Sequence, residues 1–171
     1  MDDINKLVNK IIPYPADREH RDGFSNEKII DSLSEEERGQ VETALIHKLS
    51  QQSDDLLIVT TLGYLKSHKS LDILYGLLNN AKSIAMVIIA SSIYEIAKDE
   101  KMIAIALEAC EPLTNWWDLT GVFYYLAKFK NQRTDDFIRK YFDHKEYLVA
   151  YNATRAMGLP TDPVVKKFRE K

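Results

Sequence analysis

Cysteine is nearly absent. The one thiol, Cys110, has no partner for an internal disulfide. It follows the apolar run 102–107 and has no histidine nearby to activate it. It therefore reads as a small buried hydrophobe, not a nucleophile. Glycine and proline are scarce as well, with six and five copies. No proline stands between Pro15 and Pro112, so a long stretch is free of the residue that breaks helices. No Asn-Gly or Asp-Gly lies between two alternating apolar runs, and the β-branched runs are short, which leaves no hairpin signal. The six glycines are too far apart to form a phosphate-cradling loop.

Basic residues are in the minority. Twenty-three Lys and Arg face twenty-six Asp and Glu, for a net charge of −3. A nucleic-acid binder usually shows a basic excess, so the balance argues against DNA or RNA and for a basic protein partner. Long apolar runs are missing too. The most apolar stretch, 84–93, is interrupted by Ser91 and Ser92 and is too short to span a bilayer. The first residues, Met1-Asp2-Asp3-Ile4-Asn5-Lys6, lack the basic start and apolar core of a secretion signal. A cytoplasmic protein without membrane contact is expected.

What the sequence does contain is helix signals, on a composition that is 45% hydrophobic and 29% charged. Ser34-x-x-Glu37 is a capping box opening a helix to about Gln51. Thr134-Asp135-Asp136 and Thr161-Asp162-Pro163 read as further starts. The acidic clusters Glu35-Glu36-Glu37, Asp54-Asp55 and Asp135-Asp136 read as helix-start charge, not as catalytic pairs. A short amphipathic helix over 3–12 precedes a loop with two prolines, a glycine and the run Asp17-Arg18-Glu19-His20-Arg21-Asp22. That run lacks the spacing of a metal site and reads as solvated, internally paired charge, or as a loop that touches a partner. Ser25 is expected to cap a helix to about Leu33.

From residue 53 the chain repeats. Leu62-Gly63-Tyr64-Leu65, Ile93-Tyr94-Glu95-Ile96, Phe123-Tyr124-Tyr125-Leu126 and Thr154-Arg155-Ala156-Met157 end at 65, 96, 126 and 157, spacings of 31, 30 and 31. Each block closes an apolar helix, crosses a polar link and leads to a second helix. Such a period marks stacked helical hairpins; the alternative is an irregular helical bundle. One domain, 1–171, is expected: an N-terminal helix–loop–helix cap over 1–52, then about four hairpins over 53–171.

The segment 61–78 resembles a HEAT-like repeat: a helix ending in Leu62-Gly63, the polar turn Lys66-Ser67-His68-Lys69, and a helix with Leu71, Leu74, Leu77 and Leu78. The likeness weakens toward the last unit, where Gly158 and the spacing carry it. It implies an all-α fold, a right-handed α-α superhelix. In size, acidity and helix–loop start the chain also resembles the small cytoplasmic immunity proteins of bacterial contact-dependent toxin systems. That resemblance implies a non-enzymatic domain that neutralises a cognate toxin, typically a basic nuclease, by occluding it. A general HEAT-like adaptor or scaffold is the alternative. A HEAT-like DNA-base-processing enzyme fits less well, because the chain is short and acidic and lacks rows of Arg and Lys on its lining helices.

In HEAT-like folds the helix before the turn lines the concave side. Here those helices are 54–66, 84–98, 115–128 and 146–157. Their non-core positions are Thr60, Tyr64, Ser91, Glu95, Trp117, Asp118, Tyr125, Asn152 and Arg155. The partner-binding candidates among them are Tyr64, Glu95, Trp117, Asp118, Tyr125 and Asn152. Trp116 and Trp117 lie about 100° apart on a helix, so both cannot face one core. Either Trp117 anchors an interface or both fill seams between hairpins. No catalytic, cofactor or metal residue is expected.

Overall fold

The computed structural model describes residues 2–14, 25–51 and 55–170. Among the described residues there are eleven α-helices and no strand. In chain order they are α1 (Asp2–Ile11), α2 (Glu27–Asp31), α3 (Glu35–Ser50), α4 (Leu56–Tyr64), α5 (Leu71–Leu78), α6 (Ser83–Ala97), α7 (Lys101–Cys110), α8 (Trp116–Ala127), α9 (Gln132–Arg139), α10 (Tyr147–Ala156) and α11 (Asp162–Arg169). A 3-10 turn, His68–Ser70, leads into α5. The loop over 17–22 lies outside the described residues.

Local chemistry sets most helix starts. The capping box at Ser34 is complete: its hydroxyl accepts from the Glu37 N–H, and the Glu37 carboxylate accepts from the Ser34 N–H. Those bonds hold the Glu37 carboxyl below its usual range. Asp55 caps α4 by accepting from the Leu57 N–H. The Ser25 hydroxyl accepts from the Glu27 N–H at 3.3 Å, but α2 stops at Asp31, short of Leu33. Two expected starts need correction. Helix α9 is capped by Asn131, not by the Thr134 cluster; Thr134 is buried in the first turn and donates to the Asn131 carbonyl. Thr161 precedes α11 with Pro163 in the first turn, but its hydroxyl makes no cap.

The C-terminal ends of α4, α6, α8 and α10 share a device. Each link turns through a residue in the left-handed region: Lys66 (φ 53°), Lys98 (φ 55°), Lys130 (φ 48°) and Gly158 (φ 68°). At α4 the Ser67 N–H reaches back to Leu62 and the Lys66 N–H to Gly63; at α10 the Leu159 and Gly158 N–H groups reach Thr154 and Arg155. Both are Schellman closures, which satisfy carbonyls the helix leaves unpaired.

Helix α4 packs on α6, α6 on α8, and α8 on α10; α5, α7, α9 and α11 each pack against their preceding partner or the next helix. Gly63 sets the α4–α6 approach, since a Cβ there would lie 3.0 Å from Ser92 Cβ. Helix α1 packs on α3, and α3 on α4 and α5. A connected set of buried side chains runs from Val8 to Ala153, with Phe123, Phe129, Leu62, Leu74 and Ile93 fully enclosed. No described helix is long and apolar enough to cross a membrane.

Candidate functional site

The C-terminal ends of helices α4, α6 and α8 lie near one another. Between those ends and α2–α3 opens a cleft of about 560 Å³. Its walls include Tyr64 and Lys66 at the end of α4, Tyr94, Glu95 and Lys98 at the end of α6, and Lys128, Phe129 and Lys130 after α8. Asp31 and Arg38 close it from the other side. A second cleft of about 280 Å³ shares Tyr64 and Lys128 and adds Thr60, Tyr124 and Tyr125.

Charge in the larger cleft is uneven. Among the described residues it carries five cations, Arg38, Lys66, Lys98, Lys128 and Lys130, and two carboxylates, Asp31 and Glu95. Both carboxylates are already engaged. Glu95 pairs with Lys128 at 2.9 Å, with both side chains largely covered. Asp31 accepts the Tyr64 hydroxyl at 2.9 Å and faces the Arg38 guanidinium at 3.7 Å. That hydrogen bond, with burial, holds the Tyr64 hydroxyl above its ordinary pKa. Lys66, Lys98 and Lys130 are exposed and pair with no carboxylate among the described residues. The sequence treats them as members of polar links. In space they form the basic row that is missing from the helix faces themselves.

Local energetics do not account for these lysines. A side chain in the left-handed region costs about 1–2 kcal/mol relative to glycine. Attraction between an exposed cation and a helix C-terminus offsets only about 0.3–1 kcal/mol of that. The fourth link uses the cheaper residue, Gly158.

Of the sequence candidates, Tyr64, Glu95 and Tyr125 come together around Lys128, whose Nζ lies 5.9 Å from the Tyr125 ring. Burial, then the Glu95 charge, raises the Tyr125 pKa. Thr60 joins them in the smaller cleft. Asn152 sits on α10 and accepts the Tyr124 hydroxyl at 2.8 Å, tying α8 to α10. Arg155 is exposed one turn further along. Trp117 and Asp118 lie in the first turn of α8, at the opposite end from Lys128, and line neither cleft.

Ser91 is a correction: it is 1% exposed, and its hydroxyl has no hydrogen-bond partner among the described residues. Helix α6 is packed by α4, α5, α7 and α8, so its middle has no open face. Its last turn, with Tyr94 and Glu95, reaches the larger cleft, while Ala85 and Ile89 nearer its start line a separate apolar cleft of about 370 Å³ with Leu56, Val59 and Leu77.

The tryptophans divide their environment. Trp116 packs against the core, while Trp117 is 67% exposed. They do not splay apart: the rings stack with centroids 4.3 Å apart and 22° between planes. Tyr124, two turns along α8, and Tyr147 and Leu148 on α10 are also exposed. Cys110 is buried, and burial pushes its thiol up to about 12, far from a reactive thiolate. Among the described residues no group of three or more His, Cys, Asp or Glu is placed to hold a metal ion.

No family, curated protein or solved structure matches this chain. Its chemistry is therefore read from its own side chains: an aromatic surface on α8 and α10, and a cleft whose unpaired charge is positive.

Two features escaped the sequence. One is the convergence of Lys66, Lys98 and Lys130; their recurrence just after successive helices was the available signal. The other is Asn26, which is buried and donates from one amide nitrogen to the Ile11 carbonyl (3.1 Å) and to Thr61 Oγ1 (2.7 Å). Nothing in the pattern around Asn26 marks it.

Proposed function

We propose that this chain is a non-enzymatic protein-binding domain whose four hairpins, α4–α5 to α10–α11, stack as a HEAT-like right-handed superhelix. Its most specific form is an immunity protein that occludes a cognate bacterial toxin. The order of packing, α4 on α6 on α8 on α10, supports the stacking.

The observation that carries the binding reading is Trp117. A large ring left 67% exposed, yet held rigid by its stack on Trp116, is a poor choice for solvent and a good interface anchor. Tyr124 (39% exposed) and Leu148 (42%) extend the apolar surface across α8 and α10. Tyr124 lies seven residues after Trp117, on the same side of the helix. Charge supports a basic toxin only in part. The net charge of −3 favours attraction, and Asp118 stands beside the anchor, but Glu95 is held by Lys128.

The test is calorimetry of the chain against a candidate basic toxin domain from a neighbouring gene, with Trp117→Ala as the variant. A loss of about 2 kcal/mol or more, with helicity and melting preserved, is expected of an anchor. A folded variant that binds and protects as the wild type does would sink the proposal for this face.

A further inference from the structure

The basic cleft is separate from the Trp117 surface. The two lie at opposite ends of α8, roughly 16 Å apart along a helix that rises about 1.5 Å per residue. We infer that the cleft across the C-terminal ends of α4, α6 and α8 is a binding site for an acidic segment of a protein partner, held by the row Lys66, Lys98 and Lys130.

Four observations carry this. The three lysines line one cleft of about 560 Å³, large enough for several side chains of a bound peptide. They are the cleft's uncompensated charges, since Asp31 and Glu95 are held by Tyr64 and Arg38 and by Lys128. Each occupies a backbone position where glycine is locally cheaper, as Gly158 shows in the fourth link. Their charge is therefore not explained by the turn that carries it. Finally, one such lysine follows each of three successive helices, α4, α6 and α8, which pack about 8–10 Å apart. An extended peptide presents every second side chain on one side about 6.6 Å apart, a spacing that flexible lysine stems accommodate.

The aromatic rings in the cleft decide between an acidic peptide and a nucleic-acid strand. Single-stranded nucleic acid needs open ring faces on which bases stack. Here one face of Tyr94 is covered by Lys98, whose Nζ lies 4.8 Å from the ring centroid, and Phe129 lies 4.9 Å from the same ring and is itself buried. The Tyr64 hydroxyl is tied to Asp31. Two of the cleft's three rings, Tyr94 and Phe129, are thus closed to stacking while three cations are free of carboxylates among the described residues, and a chain of carboxylates needs only the cations.

The experiment uses the full chain and a fluorescein-labelled peptide of alternating glutamate and serine, followed by anisotropy at low ionic strength. Binding that weakens as salt is added is expected. The variant K66G/K98G/K130G should bind about tenfold more weakly or worse, while its melting temperature stays equal or rises. The charge-matched control K28A/K48A/K145A, which removes three exposed lysines elsewhere, should bind within about twofold of the wild type. Three results would overturn the inference. One is no binding of the peptide to the wild type. Another is an equal loss in the control, which makes net charge the cause. The third is a single-stranded oligonucleotide of equal charge binding more tightly through the same three lysines. None of them bears on Trp117, whose own test reads a different face.

Discussion

Asn26 makes the most consequential buried side-chain contact, at the edge of the smaller cleft. It is buried, and its amide joins the end of α1 to Thr61 in the middle of α4, with α2 starting at its own carbonyl. Replacing it by alanine leaves the Ile11 carbonyl without the amide donor and takes one of two bonds from the Thr61 hydroxyl, which keeps its bond to the Leu57 carbonyl. Asn26→Ala is expected to destabilise the fold by about 2 kcal/mol, from the cost of unsatisfied buried polar groups. Urea unfolding checks this, and a change under half that size would mean water replaces the amide. Trp117→Ala should behave oppositely: with the ring mostly in solvent, stability should fall by less than about 1 kcal/mol. Residue-scale legibility followed from helical geometry. Two adjacent indoles cannot share a core, and Trp116 and Trp117 do not. Ser91 was misplaced because an exposed face was assumed for every lining helix, although the nearly continuous apolar run 84–93 is the mark of a helix covered all round.

At the scale of elements, Gly63 shows why the Leu-Gly ending of α4 matters. The position is helical, so conformational freedom is not its role; its missing Cβ is. A methyl group would meet Ser92 at 3.0 Å and the Ser92 Cα at 3.1 Å, and backbone yields less readily than a flexible side chain. Gly63→Ala gains up to about 1 kcal/mol of helix propensity but forces α4 away from α6. A net destabilisation of about 1–2 kcal/mol is expected from overpacking. Denaturant melts of the variant decide it: a more stable protein would show that the crossing relaxes freely. Helix existence and order were legible from caps and apolar spacing, with α4, α6, α8 and α10 falling within two residues of the expected bounds at every end. The start of α9 was missed because Asn131 caps as well as Thr134 would have, and local pattern does not rank two acceptors three residues apart.

The whole molecule is stitched by tyrosines. Tyr64 reaches Asp31, Tyr75 reaches Asp99, and Tyr124 reaches Asn152, each joining separate elements. Burial is the first cause raising the pKa values of Tyr75, Tyr94, Tyr124, Tyr125 and Tyr141, and the bond to Asp31 that of Tyr64. A group whose folded pKa is raised contributes stability that is present below the unfolded pKa and lost as pH rises through the folded one. Stability should therefore hold to about pH 10, the ordinary tyrosine value, and then fall as tyrosinates form. Thermal melts across that range, with tyrosinate absorbance followed in parallel, test it; a flat profile to well above that pH would show that the buried hydroxyls do not resist ionisation. The sequence showed the abundance of tyrosine but not this arrangement, because each bond joins residues at least twenty-four positions apart.

The left-handed links have one more consequence. A residue at such a corner makes no core contact through its side chain, so its identity can change without disturbing the helices on either side. Glycine is the cheapest residue there, and lysine adopts the same corner at a cost of about 1–2 kcal/mol. Each hairpin thus displays one character that mutation can rewrite independently, along a line of fixed pitch. A lineage descending from this chain could redraw the charge of its cleft by a substitution at 66, 98 or 130, and meet a new partner on an unchanged scaffold.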